Sequence, residues 1–135
     1  MFPVRVYHED TDASGIVYHA SYLRWFERAR SDILSLIGID QRAAMESGTG
    51  FYVVSDMTIR FRAPALLGDA VLIETVCEET RAASARMKQI AFRQGELLCE
   101  ANLRVGFVGP GGKPERQPEA WRRAFAAIVS RKERV

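Results

Sequence analysis

Asp12 is the residue in this chain best suited to act on a carbonyl group. It stands in the run from Tyr7 to Arg30, YHEDTDASGIVYHASYLRWFERAR, with Glu9, Asp10 and both histidines of the chain, His8 and His19. A carboxylate can activate a water molecule or attack a carbonyl carbon itself. Gly15 allows a tight backbone turn, which would set Asp12 beside the start of a following helix. The free backbone N–H groups there form a local positive site. Two such groups can hold an oxyanion as it develops. That pairing suits acyl transfer, thioester hydrolysis included, and needs neither a metal nor a redox cofactor. The chain shows no metal-ligand spacing and no Gly-rich dinucleotide motif.

Residue type alone leaves a plainer reading open. Asp10, Thr11 and Asp12 would then be loop and capping residues, and His19 a polar residue near a helix start. Glu27 and Arg30 lie three apart and suit a surface or interfacial ion pair. Glu27 could serve as a second acid, though a structural role suits it better. Arg60, Arg62, Arg81, Arg86 and Lys88 carry the donors natural to phosphate groups. A solvated strand face explains each of these equally well. Asp69 fits a turn, and Trp25 and Trp121 fit packing roles.

Several elements must position these residues. Val4 to His8 is a short β-compatible run, broken by the polar stretch EDTDASG. Leu23, Phe26, Ile33 and Ile37 then recur at helical spacing, with Arg24, Glu27, Arg28 and Asp32 on other faces. The spacing predicts one long amphipathic helix from about residue 20 to residue 37, stopped by Gly38. A shorter helix is expected over Asp40 to Ser47. After Gly50 the period drops to two: Met57, Ile59 and Phe61 alternate with Thr58, Arg60 and Arg62. Turns at Leu67-Gly68-Asp69 and Gln94-Gly95 separate further strands over Ala70 to Glu79, Ser84 to Arg93 and Cys99 to Phe107. Pro110-Gly111-Gly112 closes the sheet, and Pro118 to Arg131 reads as a terminal helix.

Strand, long helix, then four strands on short turns favours an α+β fold, an antiparallel sheet laid over one helix. The helix can cover only one face. Val54, Leu72, Val76 and Leu98 are assigned to the other, which predicts self-association.

Bulk properties narrow the setting. A length of 135 residues argues for a single domain over 1–135, and 47% hydrophobic with 27% charged residues is ordinary for a globular chain. Nineteen basic against seventeen acidic side chains leave a net charge of +2, little reason to expect nucleic acid. A local basic patch for a small anion remains allowed. The N-terminus MFPVRVYHED does not read as a signal peptide, and no stretch approaches the roughly 20 apolar residues of a membrane span. Cys77 and Cys99 are too few for a disulfide framework, so two reduced thiols in a cytoplasmic protein are expected.

The run EDTDASGIVYHASYLRWFERAR has the pattern T-D-x-x-G-x-V-Y-H, followed by a Tyr and F-E-R-A-R. It resembles the signature of hotdog-fold thioesterases of the 4-hydroxybenzoyl-CoA thioesterase class, and within it the branch associated with the Tol–Pal system. IRFRAPALLGD resembles that family's strand–Pro–Gly-Asp turn, so the resemblance spans about residues 4 to 108. It implies the hotdog fold, an antiparallel sheet wrapped around one long central helix, and cofactor-free hydrolysis of acyl-CoA thioesters. Asp12 matches the family's catalytic carboxylate. His19, seven positions on, matches the motif histidine whose backbone N–H polarises the thioester carbonyl. Gly15 matches the turn glycine, and Tyr18 stands in the Val-Tyr-His step. Arg60, Arg62, Arg86 and Lys88 become candidates for the CoA phosphates. The resemblance further implies a homodimer or homotetramer with active sites between subunits.

His8 departs from the Y-Y-E-D-T-D form of the branch, where a tyrosine stands. It would either alter acyl preference or be a tolerated strand-end residue. An acyl-carrier-protein thioesterase is one alternative, since that acidic carrier would also meet a basic rim. A non-catalytic module that binds acyl-CoA is another, and the intact motif argues against it. Whether Asp12 attacks directly or activates water stays open at this point.

Overall fold

The computed structural model describes residues 1–129. The chain runs through β1 (Phe2–Arg5), a single 3-10 turn (His8–Asp10), α1 (His19–Leu36) and α2 (Gln41–Glu46). It continues through β2 (Phe51–Phe61), β3 (Ala70–Thr80), β4 (Ser84–Arg93), β5 (Glu96–Val108) and α3 (Glu119–Ile128). The strands form one five-stranded sheet in the order β1-β3-β4-β5-β2. β1 pairs antiparallel with β3, Phe2 opposite Ile73 and Arg5 opposite Ala70. The connections from β3 to β4 and from β4 to β5 are too short for a crossover, so these pairs are antiparallel as well. The α+β order expected from the periodicity is the order observed.

α1 ends as its sequence predicts. Gly38 takes φ +86°, its N–H donates to the Ser35 carbonyl at 3.1 Å, and the Ile39 N–H donates to that of Leu34 at 2.9 Å. These are the two closing bonds of a Schellman cap.

Two compact units make up the chain. The first holds Met1–Asp32, Ile59–Thr75 and Gln89–Ala101. Its buried residues include Trp25, Phe26 and Ala29 of α1, Val71 and Ile73 of β3, and Ala91 of β4. Gln89 is buried among them and fully used. Its amide donates to the Phe26 carbonyl and the Thr75 hydroxyl, each at 2.9 Å, and its carbonyl accepts from Arg30 at 2.9 Å. A buried amide is tolerated when its groups are satisfied in this way. Arg30 thus hydrogen-bonds Gln89, while the Glu27 charge still favours its ionised form against the effect of burial.

The second unit holds Ile33–Thr58, Val76–Lys88 and the chain from Asn102. Leu34, Cys77, Ala85, Met87, Leu103, Val105 and Phe125 form its core, with Tyr52 and Trp121 packed against them. The Tyr52 hydroxyl donates to Gln117 at 2.7 Å, and the Gln117 amide donates to the Arg81 carbonyl at 2.7 Å. Trp25 and Trp121 thus both pack, as expected.

Some expectations shift. The first strand lies earlier than Val4 to His8, because the Asp10 carboxylate accepts the Tyr7 N–H at 3.0 Å and winds His8–Asp10 into a turn. Leu98 is fully buried rather than on an open face. The Arg62 and Ala63 N–H groups both donate to its carbonyl, at 2.8 and 3.1 Å. The extra residue stands on the Arg62–Ala63 side of the ladder. Val54 and Leu72 are exposed as expected, and Val76 is half-buried. α3 begins at Glu119 and ends at Ile128; Ser130 and Arg131 of the expected terminal helix lie outside the described residues.

Candidate active site

Asp12 opens a three-residue hairpin loop. Its N–H donates to the Ile16 carbonyl at 2.9 Å, Thr11 bridges Val17, and the Gly15 N–H returns to the Asp12 carbonyl at 3.1 Å. Gly15 closes the loop at φ +83°, the left-handed position such loops reserve for glycine. The Asp12 carboxylate folds back over the loop. Oδ1 accepts the Ser14 N–H at 2.8 Å, the Ser14 hydroxyl and, at 3.4 Å, the Ile16 N–H. Oδ2 takes no hydrogen bond from the described residues. The Ser14 hydroxyl first, and the Ser14 N–H second, hold the carboxyl below its usual range. Asp12 is exposed and is a carboxylate at neutral pH.

The loop is tied down on two sides. The Val17 N–H donates to the Ala65 carbonyl at 2.9 Å and the Leu67 N–H to that of Gly15 at 3.0 Å. Asp69 braces this neighbouring turn, accepting the Leu66 N–H at 2.8 Å. Arg93 bridges Asp69 and Glu96 and donates to the Pro64 carbonyl at 3.3 Å. Burial pushes the Asp69 carboxyl up, but the Leu66 N–H and Arg93 outweigh it and hold the group low. On the other side, the Asp10 carbonyl accepts the Tyr18 N–H at 2.8 Å and the Ser21 hydroxyl at 3.4 Å.

His19 is the first residue of α1. The Tyr18 and Ser21 N–H groups are used, whereas those of His19 and Ala20 meet no acceptor among the described residues. The His19 ring stacks on Phe61, centroids 4.1 Å apart and planes 16° from parallel. Phe61 meets Tyr22 edge-on at 5.6 Å, and the Tyr22 hydroxyl accepts the Ala65 N–H at 3.3 Å. A cavity of about 210 Å³ opens here, lined by Ile16, Val17, His19, Tyr22, Phe61 and Pro64, with Arg62 adding charge. The turn carboxylate, the open helix N–H groups and an apolar cavity thus belong to one unit.

Of the other residues singled out, Gly15 is in the loop itself, and Tyr18 is 61% exposed at the helix entry. His8 is exposed on the 3-10 turn and does not line the cavity. Arg62 lines it and pairs with Glu100 at 2.7 Å; Arg60 is exposed two residues earlier on β2. Arg86 and Lys88 belong to the second unit, where Arg86 approaches Glu79 at 3.3 Å and Arg81 bonds the same carboxylate. Sequence reasoning missed Ser14 and Phe61. A serine two places after an aspartate is a recognisable turn signal. Phe61 carried none, because its strand parity placed it in the core, yet it is 42% exposed.

Residues 6–127 match the family model of the thioesterase-like superfamily. The chain is 38% identical over 125 residues to the acyl-CoA thioesterase YbgC of Haemophilus influenzae, a match covering 92% of each chain. It is 42% identical over 121 residues to the acyl-CoA thioester hydrolase YbgC of Escherichia coli O6:H1, covering 88% of this chain and 90% of that one. A probable thioesterase from Bartonella henselae shares the fold with a TM-score of 0.81 at 36% identity, over 87% of this chain and 97% of its own. The chain belongs to the thioesterase-like superfamily and has its hotdog fold. The resemblance read from the TDASGIVYH run is borne out, and the family match extends beyond residue 108 into α3.

Proposed function

We propose that this chain hydrolyses acyl-CoA thioesters to the free acid and CoA. The reading is carried by an ionised, exposed carboxylate at Asp12 and open N–H groups at the start of α1, both within one unit. They occur in a chain aligned over about nine-tenths of its length with proteins named acyl-CoA thioesterases. The thioester oxygen accepts from the His19 N–H, which stabilises the negative charge as the carbonyl carbon becomes tetrahedral. Asp12 acts from its ionised form, either attacking the thioester carbon itself or taking the proton of a water that does. Both routes expel CoA as its thiolate and end in the free acid with Asp12 restored; direct attack by Oδ2 passes through a mixed anhydride that water then cleaves.

Arg62, which lines the cavity, and Arg60, two residues before it on β2, are assigned to the CoA phosphates. Arg86 and Lys88, which belong to the second unit, are kept as separate candidates for holding a CoA phosphate. An acyl carrier protein is the alternative carrier, because its acidic surface would meet the same guanidinium groups. We assign the protein to the cytoplasm; no helix among the described residues is long and apolar enough to cross a membrane. Assembly as a homodimer, or a homotetramer built from it, is also part of the reading.

Thiol release from a panel of acyl-CoAs and acyl-carrier proteins tests the activity, with Asp12→Asn as the control. The asparagine oxygen can still accept from Ser14, so the loop should keep its shape while the charge is lost. We expect kcat to fall by roughly 10²-fold or more, the scale of losing a positioned catalytic carboxylate. Near-normal turnover in the folded Asn variant removes Asp12 from this role.

A further inference from the structure

We propose that Ser14 is a positioning residue for Asp12, pinning Oδ1 so that Oδ2 is the oxygen presented to the thioester. This rests on the reading of Asp12 as the reacting group. A free carboxylate rotates broadly about its last bond and offers either oxygen. Here one oxygen takes all three donors: the Ser14 N–H at 2.8 Å, the Ser14 hydroxyl, and the Ile16 N–H at 3.4 Å. Hydrogen bonds to an ionised acceptor are the stronger kind. Ser14 is itself exposed, and among the described residues its hydroxyl has no other acceptor than Asp12. An exposed hydroxyl that could be solvated is instead committed to one carboxylate oxygen.

The same contact governs when Asp12 is charged. The Ser14 hydroxyl is the largest influence lowering this carboxyl, ahead of the Ser14 N–H, and among the described residues no charged side chain contributes to the shift, His8, Glu9, Asp10 and His19 included. Ser14 thus sets which oxygen is presented and favours the ionised form of the group.

Ser14→Ala and Ser14→Thr test this. Alanine keeps the N–H bond and removes the hydroxyl; threonine restores a hydroxyl at the same place. With alanine, kcat on the pH plateau should fall about threefold to tenfold, the net worth of one such hydrogen bond, with KM unchanged. The acid limb of kcat should move to higher pH, because the carboxyl now protonates more readily. Threonine should reverse both changes. In parallel, NMR titration of the Asp12 carboxyl carbon reads the protonation without any need for turnover. If alanine moves neither the titration nor the acid limb, or if threonine restores nothing, the proposal is overturned. If the titration moves and the rate profile does not, Ser14 pins a carboxylate that does no chemistry. That outcome also overturns the proposal, and near-normal turnover by Asp12→Asn would then place the failure in the reading of Asp12.

Discussion

His19 brings two groups to the site, and they are separable. Its peptide N–H opens α1 without a partner among the described residues, while its ring is engaged with Phe61. His19→Ala keeps the first and loses the second. The ring stack is worth about 0.5–1.5 kcal/mol, so the loss in kcat should stay within roughly tenfold and below that of Asp12→Asn. Steady-state kinetics of the two variants side by side checks the ranking. An alanine variant as damaged as Asp12→Asn would put the imidazole into the chemistry and end the assignment to the N–H. Asp12 and His19 could be picked out as candidates because both fall on a long residue pattern. The partner of each, Ser14 and Phe61, could not, because no pattern says which side chains a loop and a helix start will meet.

The Asp12 hairpin depends on one backbone conformation. At Gly15 an added Cβ would meet nothing within 4 Å, but the residue sits at φ +83°. Gly15→Ala therefore isolates the backbone cost from any clash, about 1–2 kcal/mol for a side chain forced into the left-handed region. Thermal and denaturant unfolding should show that destabilisation. The alanine variant should also lose activity, because a loop that relaxes out of this conformation moves Ser14 away from Asp12. An unchanged unfolding midpoint would mean that the loop reaches the same end without the glycine. This element could be anticipated, since Asp-x-x-Gly after a short strand is a local signal. The brace behind it, Arg93 on Asp69 and Pro64, could not. Arg93 lies 24 and 29 residues from those two partners in the chain.

Assembly is the question at the scale of the molecule. The sheet has two edge strands, β1 and β2. β1 has four residues and includes Pro3, whose missing N–H blunts an edge. β2 has eleven residues and leaves Val53 and Val54 37% and 42% exposed. A long edge with apolar side chains is a template for pairing with another strand, and a second copy of the chain is the simplest occupant. Leu98, being buried, no longer supports the interface argument; Val54 and Leu72 still do. Light scattering should report a dimer or tetramer, and turnover down a dilution series should fall as the assembly dissociates. A fully active monomer would overturn both the assembly and the expectation of a site shared between subunits.

The sequence by itself determined what the chain does over short distances. The change of period from about 3.6 to two after Gly50 separated α1 and α2 from the strands. Gly38 marked the helix stop and Gly15 the turn beside Asp12. These are consequences of backbone geometry within a few residues, where residue type and spacing act directly. Only the tertiary structure decided that Phe61 stacks on His19 instead of entering the core, that Arg30 bonds Gln89, and that Leu98 is buried. Arg30 and Gln89 are 59 residues apart in the chain. Such contacts depend on which strands lie side by side and where a ladder takes an extra residue. Side-chain periodicity along a single strand carries neither piece of information.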